Sequence, residues 1–229
     1  MRKSGRLPLE ALAPYLLEVP PAFNARAAAR LAAASVAWYA GKKPLDWPEL
    51  FGRSRPVEIE IGFGKGLFLL NASEARPEHD FLGIEKERDY TLFTATRLAK
   101  RERRNVRVVC ADARWFVAEW LADASVDHVH IYFPDPWWKK RHHKRRLFNE
   151  EFATRLTQLL KGGGRLHFAT DVPEYFAMTM AMLRVLPALT EAPAPPQSDP
   201  RHDMDYLTNF ERKFRLQAKP IHRALFERR

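Results

Sequence analysis

The chain has 229 residues, 46% of them hydrophobic, and 38 Lys and Arg against 28 Asp and Glu leave a formal net charge of +10. This size allows one sizeable core, and the positive surplus favours a polyanionic partner such as RNA, DNA or an acidic membrane surface. The single cysteine, Cys110, excludes an intramolecular disulfide framework, and no apolar run is long enough for a membrane span, so we expect a cytoplasmic protein in a reducing compartment.

The first 45 residues show the weakest pattern. Basic residues near the N-terminus precede an apolar stretch that two glutamates and a proline interrupt, which is unlike a secretory signal. Residues 25–40 favour a helix by propensity. We expect an N-terminal arm and helix over residues 1–45, partly mobile, and one folded domain over residues 46–229.

Short apolar runs alternate with helical patterns from Val57 onward. The alternation predicts five β-α units, whose strands are VEIEI, DFLGI, VRVVC, VDHVHIYF and RLHFAT. Such units form a mostly parallel twisted α/β sheet with helices on both faces, and ligands bind beyond the carboxyl ends of its strands. Residues 193–200, PAPPQSDP, predict a proline-stiffened linker, after which IHRALFE predicts an edge strand.

A glycine loop follows the first predicted strand of the domain. Gly62 and Gly64 allow close approach of the backbone to a nucleotide-like ligand, which makes them candidate cofactor-binding positions. The dinucleotide fingerprint needs a small residue where this chain has Leu67, so a pyrophosphate site is disfavoured. Glu60, just before the turn, suits a cationic ligand better.

Two further acids, Glu85 and Asp112, follow the next two strands. An acid after the second strand commonly accepts from ribose hydroxyls, and one after the third can accept from an adenine amine. Together with Glu60 they indicate an adenosine ligand without phosphates, for which S-adenosylmethionine is the candidate. The alternative for each acid is a solvated loop residue or a helix cap.

The block FPDPWWKKRHHKRR follows the fourth strand. It sets Asp135 between two prolines, adds the flat faces of Trp137 and Trp138, and continues into a basic run over residues 139–146. An acceptor, aromatic faces and a cationic cluster together favour a nucleobase attached to phosphates. Taken separately, these features are ordinary turn, core and solvated surface residues.

The motifs EIGFGKG, FLGIE, ADA, FPDPWWKKRHHKRR, ATD and TNFE occur in this order over residues 46–229. In this combination the chain resembles the bacterial tRNA (guanine-N7-)-methyltransferases. The resemblance implies a Rossmann-like class I methyltransferase fold with a seven-stranded sheet, S-adenosylmethionine as cofactor and tRNA as partner. It also implies methylation of guanosine 46 in the tRNA variable loop. Trp138 and Lys213-Phe214 depart from the usual family pattern.

The resemblance further implies functions for individual residues. The methyl donor is expected to contact Glu60, Glu85, Asp112 and Asp135, and Asp135 is also expected to be catalytic. The substrate guanosine region is expected to contact Lys139, Asp171, Thr208, Asn209, Phe210 and Glu211. The RNA-contacting segment is expected to comprise Arg141, His142, His143, Lys144, Arg145 and Arg146.

Guanine N7 bears a lone pair and no proton, so methyl transfer to it needs alignment more than a general base. Asp135 is therefore expected to hold the guanine edge and to stabilise the positive charge that develops on the base. Thr208 and Glu211 also match a capping box, and Asp171 also matches a helix cap. We expect no metal, because the spacing of His and Cys matches no metal-ligand pattern.

Three other functions compete with this interpretation. A methyltransferase acting on an exocyclic amine places a similar proline-aromatic motif after the fourth strand, but typically as D-P-P-Y or N-P-P-Y. An RNA-binding protein on a degenerate methyltransferase scaffold would use the basic run without a donor pocket. A nicotinamide dehydrogenase is disfavoured by the glycine spacing.

Overall fold

The computed structural model describes Gly5 and residues 7–19, 43–137, 140–194 and 207–229, without the side chains of Lys140, His143 and Lys144. The helix predicted over residues 25–40 and most of the predicted linker lie outside the described residues, as do Trp138 and Lys139.

The described elements confirm the five predicted β-α units. The helices are α1 (Leu9–Leu12), α2 (Trp47–Phe51), α3 (Leu67–Ala75), α4 (Arg88–Lys100), α5 (Ala113–Trp120), α6 (Glu150–Leu159), α7 (Pro173–Arg184) and α8 (Asn209–Leu216), with 3₁₀ segments at Ala13–Tyr15 and Lys140–Arg145. The strands are β1 (Leu16–Leu17), β2 (Val57–Ile61), β3 (Asp80–Glu85), β4 (Val106–Cys110), β5 (Val126–Tyr132), β6 (Leu160–Thr170), β7 (Leu189–Ala192) and β8 (His222–Arg228).

The eight strands in the described part of the chain form one sheet in the order β1-β4-β3-β2-β5-β6-β8-β7. Every pair is parallel except those of β8, which runs antiparallel to β6 and β7. The predicted mostly parallel α/β sheet is confirmed. It has one strand more than the expected seven, because Leu16 and Leu17 add a short parallel strand beside β4.

The prediction that the C-terminal strand lies at the edge is wrong. β8 lies between β6 and β7, and Leu225 and Phe226 in it are buried. The antiparallel return lets β8 bond to β6 on one side and to β7 on the other, so β7 is the outer strand.

The central strands are buried on both faces, as expected for a parallel sheet covered by helices. Val57, Ile59 and Ile61 of β2 belong to the hydrophobic cluster on one face. Glu58 and Glu60 alternate with them and therefore point to the opposite face, beneath α3. Two buried acids in the middle strand thus give this face an unusual polar content.

None of the helices within the described ranges is long and apolar enough to cross a membrane.

Candidate active site

A cavity of about 560 Å³ opens at the carboxyl ends of β2 to β5. It lies where the chain turns back from β4 to place β5 beside β2, the point at which open α/β sheets bind ligands. The six predicted donor-site residues all line this one cavity, namely Glu60, Gly62, Gly64, Glu85, Asp112 and Asp135. The fold therefore brings together residues that lie at the end of, or just after, four different strands.

The glycine loop forms the floor of the cavity. Gly62, Gly64 and Gly66 have φ angles of +78°, +52° and +68°, a left-handed conformation that L side chains rarely adopt. A Cβ at Gly62 or Gly64 would meet no atom within 4 Å, so the backbone at both residues borders open space. A Cβ at Gly66 would lie 2.3 Å from Cγ2 of Thr94 in α4, so Gly66 is needed for packing.

Glu60 is a buried acid in the cavity wall. Its Oε2 has no hydrogen-bond partner among the described residues. Burial, and then the nearby negative charge of Glu85, raise the pKa of Glu60 well above the ordinary value. A cationic group of a ligand would supply the partner that Oε2 lacks among the described residues.

Glu85 and Asp112 take different positions at the rim. Glu85 accepts hydrogen bonds from the backbone N–H groups of Gly64 at 2.9 Å and Glu87 at 3.0 Å, so it ties the glycine loop to the end of β3. Asp112 caps α5, and Oδ1 accepts from the N–H groups of Arg114 and Trp115. The helix-cap interpretation of Asp112 is therefore correct, and the same residue also lines the cavity.

Asp135 lies exposed at the mouth of the cavity, in the segment that follows β5. Phe133 and Trp137 on either side have φ angles of +53° and +46°, which are strained for residues with a side chain. The N–H of Phe133 donates to the carbonyl of Ala169 in β6 at 2.7 Å. Asp135 therefore sits in a tightly bent segment anchored to the sheet.

The opposite wall comes from the C-terminal part of the chain. Thr208, Asn209 and Phe210 line the cavity, and Phe210 is 51% exposed. Its ring packs near those of Phe133 and Phe214, at centroid distances of 6.1 Å and 6.2 Å. An aromatic face held in this way at the mouth is suited to stacking on a base.

Two predicted substrate residues are not among those lining the cavity. Glu211 is 3% exposed; it accepts from the N–H of Leu207 at 2.8 Å and pairs with Arg223 at 2.9 Å. The hydroxyl of Thr208 accepts from the N–H of Glu211 at 3.0 Å, which confirms the N-cap half of the predicted capping box, while the Glu211 carboxylate returns to the N–H of Leu207, one residue before Thr208. Asp171 follows β6 and is half-buried.

The side chains of the basic run point in different directions. Arg141 and Arg145 are exposed, and the guanidinium of Arg145 lies 5.1 Å from the centroid of the Trp137 ring. The ring of His142 meets Trp137 edge-on at 5.9 Å. Arg146 instead turns inward, and its Nε donates to the carbonyl of Pro136 at 2.8 Å.

Sequence reasoning missed a buried polar chain that reaches the cavity. The hydroxyl of Tyr132, which lines the cavity, bonds to Nδ1 of His130 at 2.9 Å, and Nε2 of His130 bonds to Glu58 at 2.7 Å. Burial opposes ionisation of Glu58, but hydrogen bonds and charges from His130 and Arg76 lower its pKa. The signal was the alternation of Glu58 and His130 with apolar residues in predicted buried strands.

Strand register also gathers three histidines on this face. Nitrogens of His128, His130 and His167 all lie within 4.8 Å of one another. The rings are stacked, with interplanar angles of 6° to 20°, and Nδ1 of His128 bonds to Nε2 of His167 at 3.1 Å. Parallel ring planes do not aim three lone pairs at one point. The absence of a metal stays a prediction.

Comparison with known proteins agrees with this geometry. The family model described as a putative methyltransferase matches residues 54–224. A tRNA (guanine-N(7)-)-methyltransferase of Rhodopirellula baltica is 42% identical over 82% of this chain and 74% of its own length. The enzyme of the same name from Alkalilimnicola ehrlichii is 40% identical over 75% of this chain and 72% of its own. The chain belongs to the tRNA (guanine-N7-)-methyltransferase family.

A solved structure shows the same fold. An antibiotic-related methyltransferase superposes with a TM-score of 0.52 at 17% identity, covering 82% of this chain and 95% of that one. The class I methyltransferase fold expected for this family is therefore confirmed.

The methyl donor of this methyltransferase is S-adenosylmethionine, and the residues present fit it. The donor carries a sulfonium and an ammonium group, and Glu60 offers a buried carboxyl oxygen without a partner among the described residues. Gly62 and Gly64 leave open space at the floor, while Glu85 and Asp112 bring carboxylate oxygens to the rim for hydroxyl and amine donors.

Proposed function

We propose that this chain methylates N7 of guanosine 46 in the variable loop of tRNA, with Asp135 at the reacting centre. The observation that carries the proposal is that Glu60, Glu85, Asp112 and Asp135 share one cavity whose mouth bears an exposed cation, Arg145. The family assignment supports the same reaction. When bound, the donor supplies a methyl group activated by a sulfonium.

The residues on the donor side of the cavity bind the methyl donor and orient it. Glu60 and Glu85 bring to the inner wall the carboxyl groups that pair with a cationic ligand, and Gly62 and Gly64 keep side chains out of its way. Glu85 is already held by two backbone N–H groups, so its position is set before a ligand arrives.

Asp135 acts on the base. Its carboxylate accepts the two N–H donors on the Watson-Crick edge of guanine, an arrangement that adenine does not offer. The same negative charge stabilises the positive charge that the base gains when N7 is methylated. No proton leaves N7, so Asp135 needs no raised basicity for this function.

The remaining side chains bind the nucleotide and its polymer. Thr208, Asn209 and Phe210 face the base from the opposite wall, and Arg141 and Arg145 contact phosphates. Lys139 and Asp171 complete the substrate site in this proposal. Glu211 contributes by holding the start of α8, through Leu207 and Arg223.

Incubation with labelled S-adenosylmethionine and unmodified tRNA, followed by nucleoside analysis, tests the proposal. We expect 7-methylguanosine from the wild type, and none when position 46 carries another base. Asp135→Ala should lose about 100-fold or more in kcat while the protein stays folded, because Asp135 is exposed. Asp123→Ala, which removes an exposed acid that is not among the cavity residues, is the matched control. Methyladenosine as product, or full activity in Asp135→Ala, would refute the assignment.

A further inference from the structure

Arg146, the last residue of the basic run, is half-buried and contacts other groups of the protein. Its guanidinium lies 5.3 Å from the centroid of the Tyr175 ring, and Nη1 lies 3.3 Å from Sδ of Met178. Its Nε donates to the carbonyl of Pro136 at 2.8 Å. The positive charge of Arg146 therefore interacts with groups of the protein itself.

The Tyr175 ring beneath Arg146 is held firmly in the core. Tyr175 is fully buried in α7, and its hydroxyl accepts from the N–H of Phe148 at 3.4 Å. A guanidinium above this ring gains a cation-π interaction whose aromatic partner cannot move aside. Arg146 thus joins α7 to the segment that carries Asp135.

That segment needs such a restraint. Residues 133–137 contain two side-chain-bearing residues at positive φ, a conformation that persists only where the surroundings enforce it. The bond from Phe133 to Ala169 holds one end, and the bond from Arg146 to Pro136 holds the other. Asp135 lies between these two fixed points.

We infer that Arg146 is a positioning residue that fixes Asp135, whereas Arg141 and Arg145 bind the tRNA phosphates. The inference rests on the proposed function, in which Asp135 acts at the reacting centre. It divides one basic run into a part that binds the polymer and a part that orders the site. Charge at Arg146 then affects turnover, and charge at Arg141 affects tRNA binding.

Arg146→Gln, Arg146→Lys and Arg141→Gln separate these functions. We expect Arg146→Gln to lower kcat about tenfold or more, because a misplaced reacting group loses its alignment, while the salt dependence of tRNA binding keeps its wild-type slope. Arg146→Lys should recover part of kcat, since an ammonium can still donate to Pro136. Arg141→Gln should raise KM for tRNA and reduce the salt slope by about one.

Amide hydrogen exchange over residues 133–137 gives a readout that does not depend on activity. Faster exchange in Arg146→Gln, with unchanged melting of the rest of the protein, supports the restraint. If Arg146→Gln exchanges at the wild-type rate, or if its tRNA binding shows a reduced salt slope like that of Arg141→Gln, the inference is overturned. This holds whichever methylated nucleoside the enzyme produces. Faster exchange together with an active Asp135→Ala protein would leave the restraint standing and refute the proposed function. If Arg146→Gln does not fold, Arg146→Lys is judged by the same exchange and kcat criteria.

Discussion

Glu60 shows how a single residue prepares the site for its ligand. Its buried carboxyl group has one oxygen, Oε2, without a partner among the described residues, so the charged form is unfavourable, and burial and Glu85 both raise its pKa. A cationic ligand in the cavity reverses this balance, because it stabilises the carboxylate. Donor binding should therefore lower the pKa of Glu60, and a proton is released at any pH that lies between its pKa values in the free and the donor-bound protein.

We predict that Glu60→Gln weakens donor affinity about tenfold, or about 1.4 kcal/mol, and abolishes this proton release. Calorimetry in buffers of different ionisation enthalpy measures the protons released on binding. Glu119→Gln, an exposed substitution whose position is not among the cavity residues, should keep the wild-type release. Proton release from Glu60→Gln equal to that of the wild type would contradict the prediction.

At the scale of elements, the turn between β2 and α3 is shaped by its contact with α4. The hydroxyl of Thr94 donates to the carbonyl of Gly64 at 3.2 Å, and a Cβ on Gly66 would collide with the same side chain. The turn therefore needs glycine at position 66 for two reasons: the backbone there is left-handed, and there is no space for a side chain. Helix α4 supports the floor of the cavity from behind.

Gly66→Ala should lower the free energy of unfolding by about 2–4 kcal/mol, since backbone strain and overpacking add. Gly52→Ala is the matched control, because Gly52 has a φ of +72° but open space around it, and it should lose only about 1 kcal/mol. Urea denaturation compares the two. Equal losses would show that the contact with Thr94 carries no penalty.

Over the whole molecule, the polar face of the sheet makes stability depend on pH. Burial lowers the pKa of His128 to about 4, and burial also lowers the pKa values of His130 and His167. Between pH 6.5 and about 4 the unfolded chain thus binds a proton at position 128 that the native His128 ring does not. Stability contributed by the neutral His128 ring is present above pH 6.5 and is lost as the pH falls through this window.

We predict that His128→Gln loses less stability than the wild type between pH 7 and pH 5, by on the order of 1 kcal/mol. Glu60 acts in the opposite sense, because its raised pKa lets the native state bind a proton, but it is common to both proteins and cancels. Denaturant unfolding at the two pH values checks the difference. Parallel losses in both proteins would exclude His128 from the acid sensitivity.

Much of the fold and of the donor site was predictable because it depends on local patterns. The apolar alternation predicts parallel strands, whose carboxyl ends meet at one edge, so Glu60, Glu85 and Asp112 were expected to converge. The spacing of Thr208 and Glu211 predicts the capping contact, because the two residues are only three positions apart in the chain. Each of these predictions needs only neighbours along the chain or the general geometry of an α/β sheet.

The sequence by itself determined the class of protein, the β-α order and the acids at the strand ends, since these follow from periodicity and motif. Only the tertiary structure decided that Arg146 turns inward, that Glu211 pairs with Arg223, that three histidines stack, and that β8 lies inside the sheet. The physical reason is that a side chain's partner across the sheet is set by strand order and register. Those depend on packing between segments far apart in the chain.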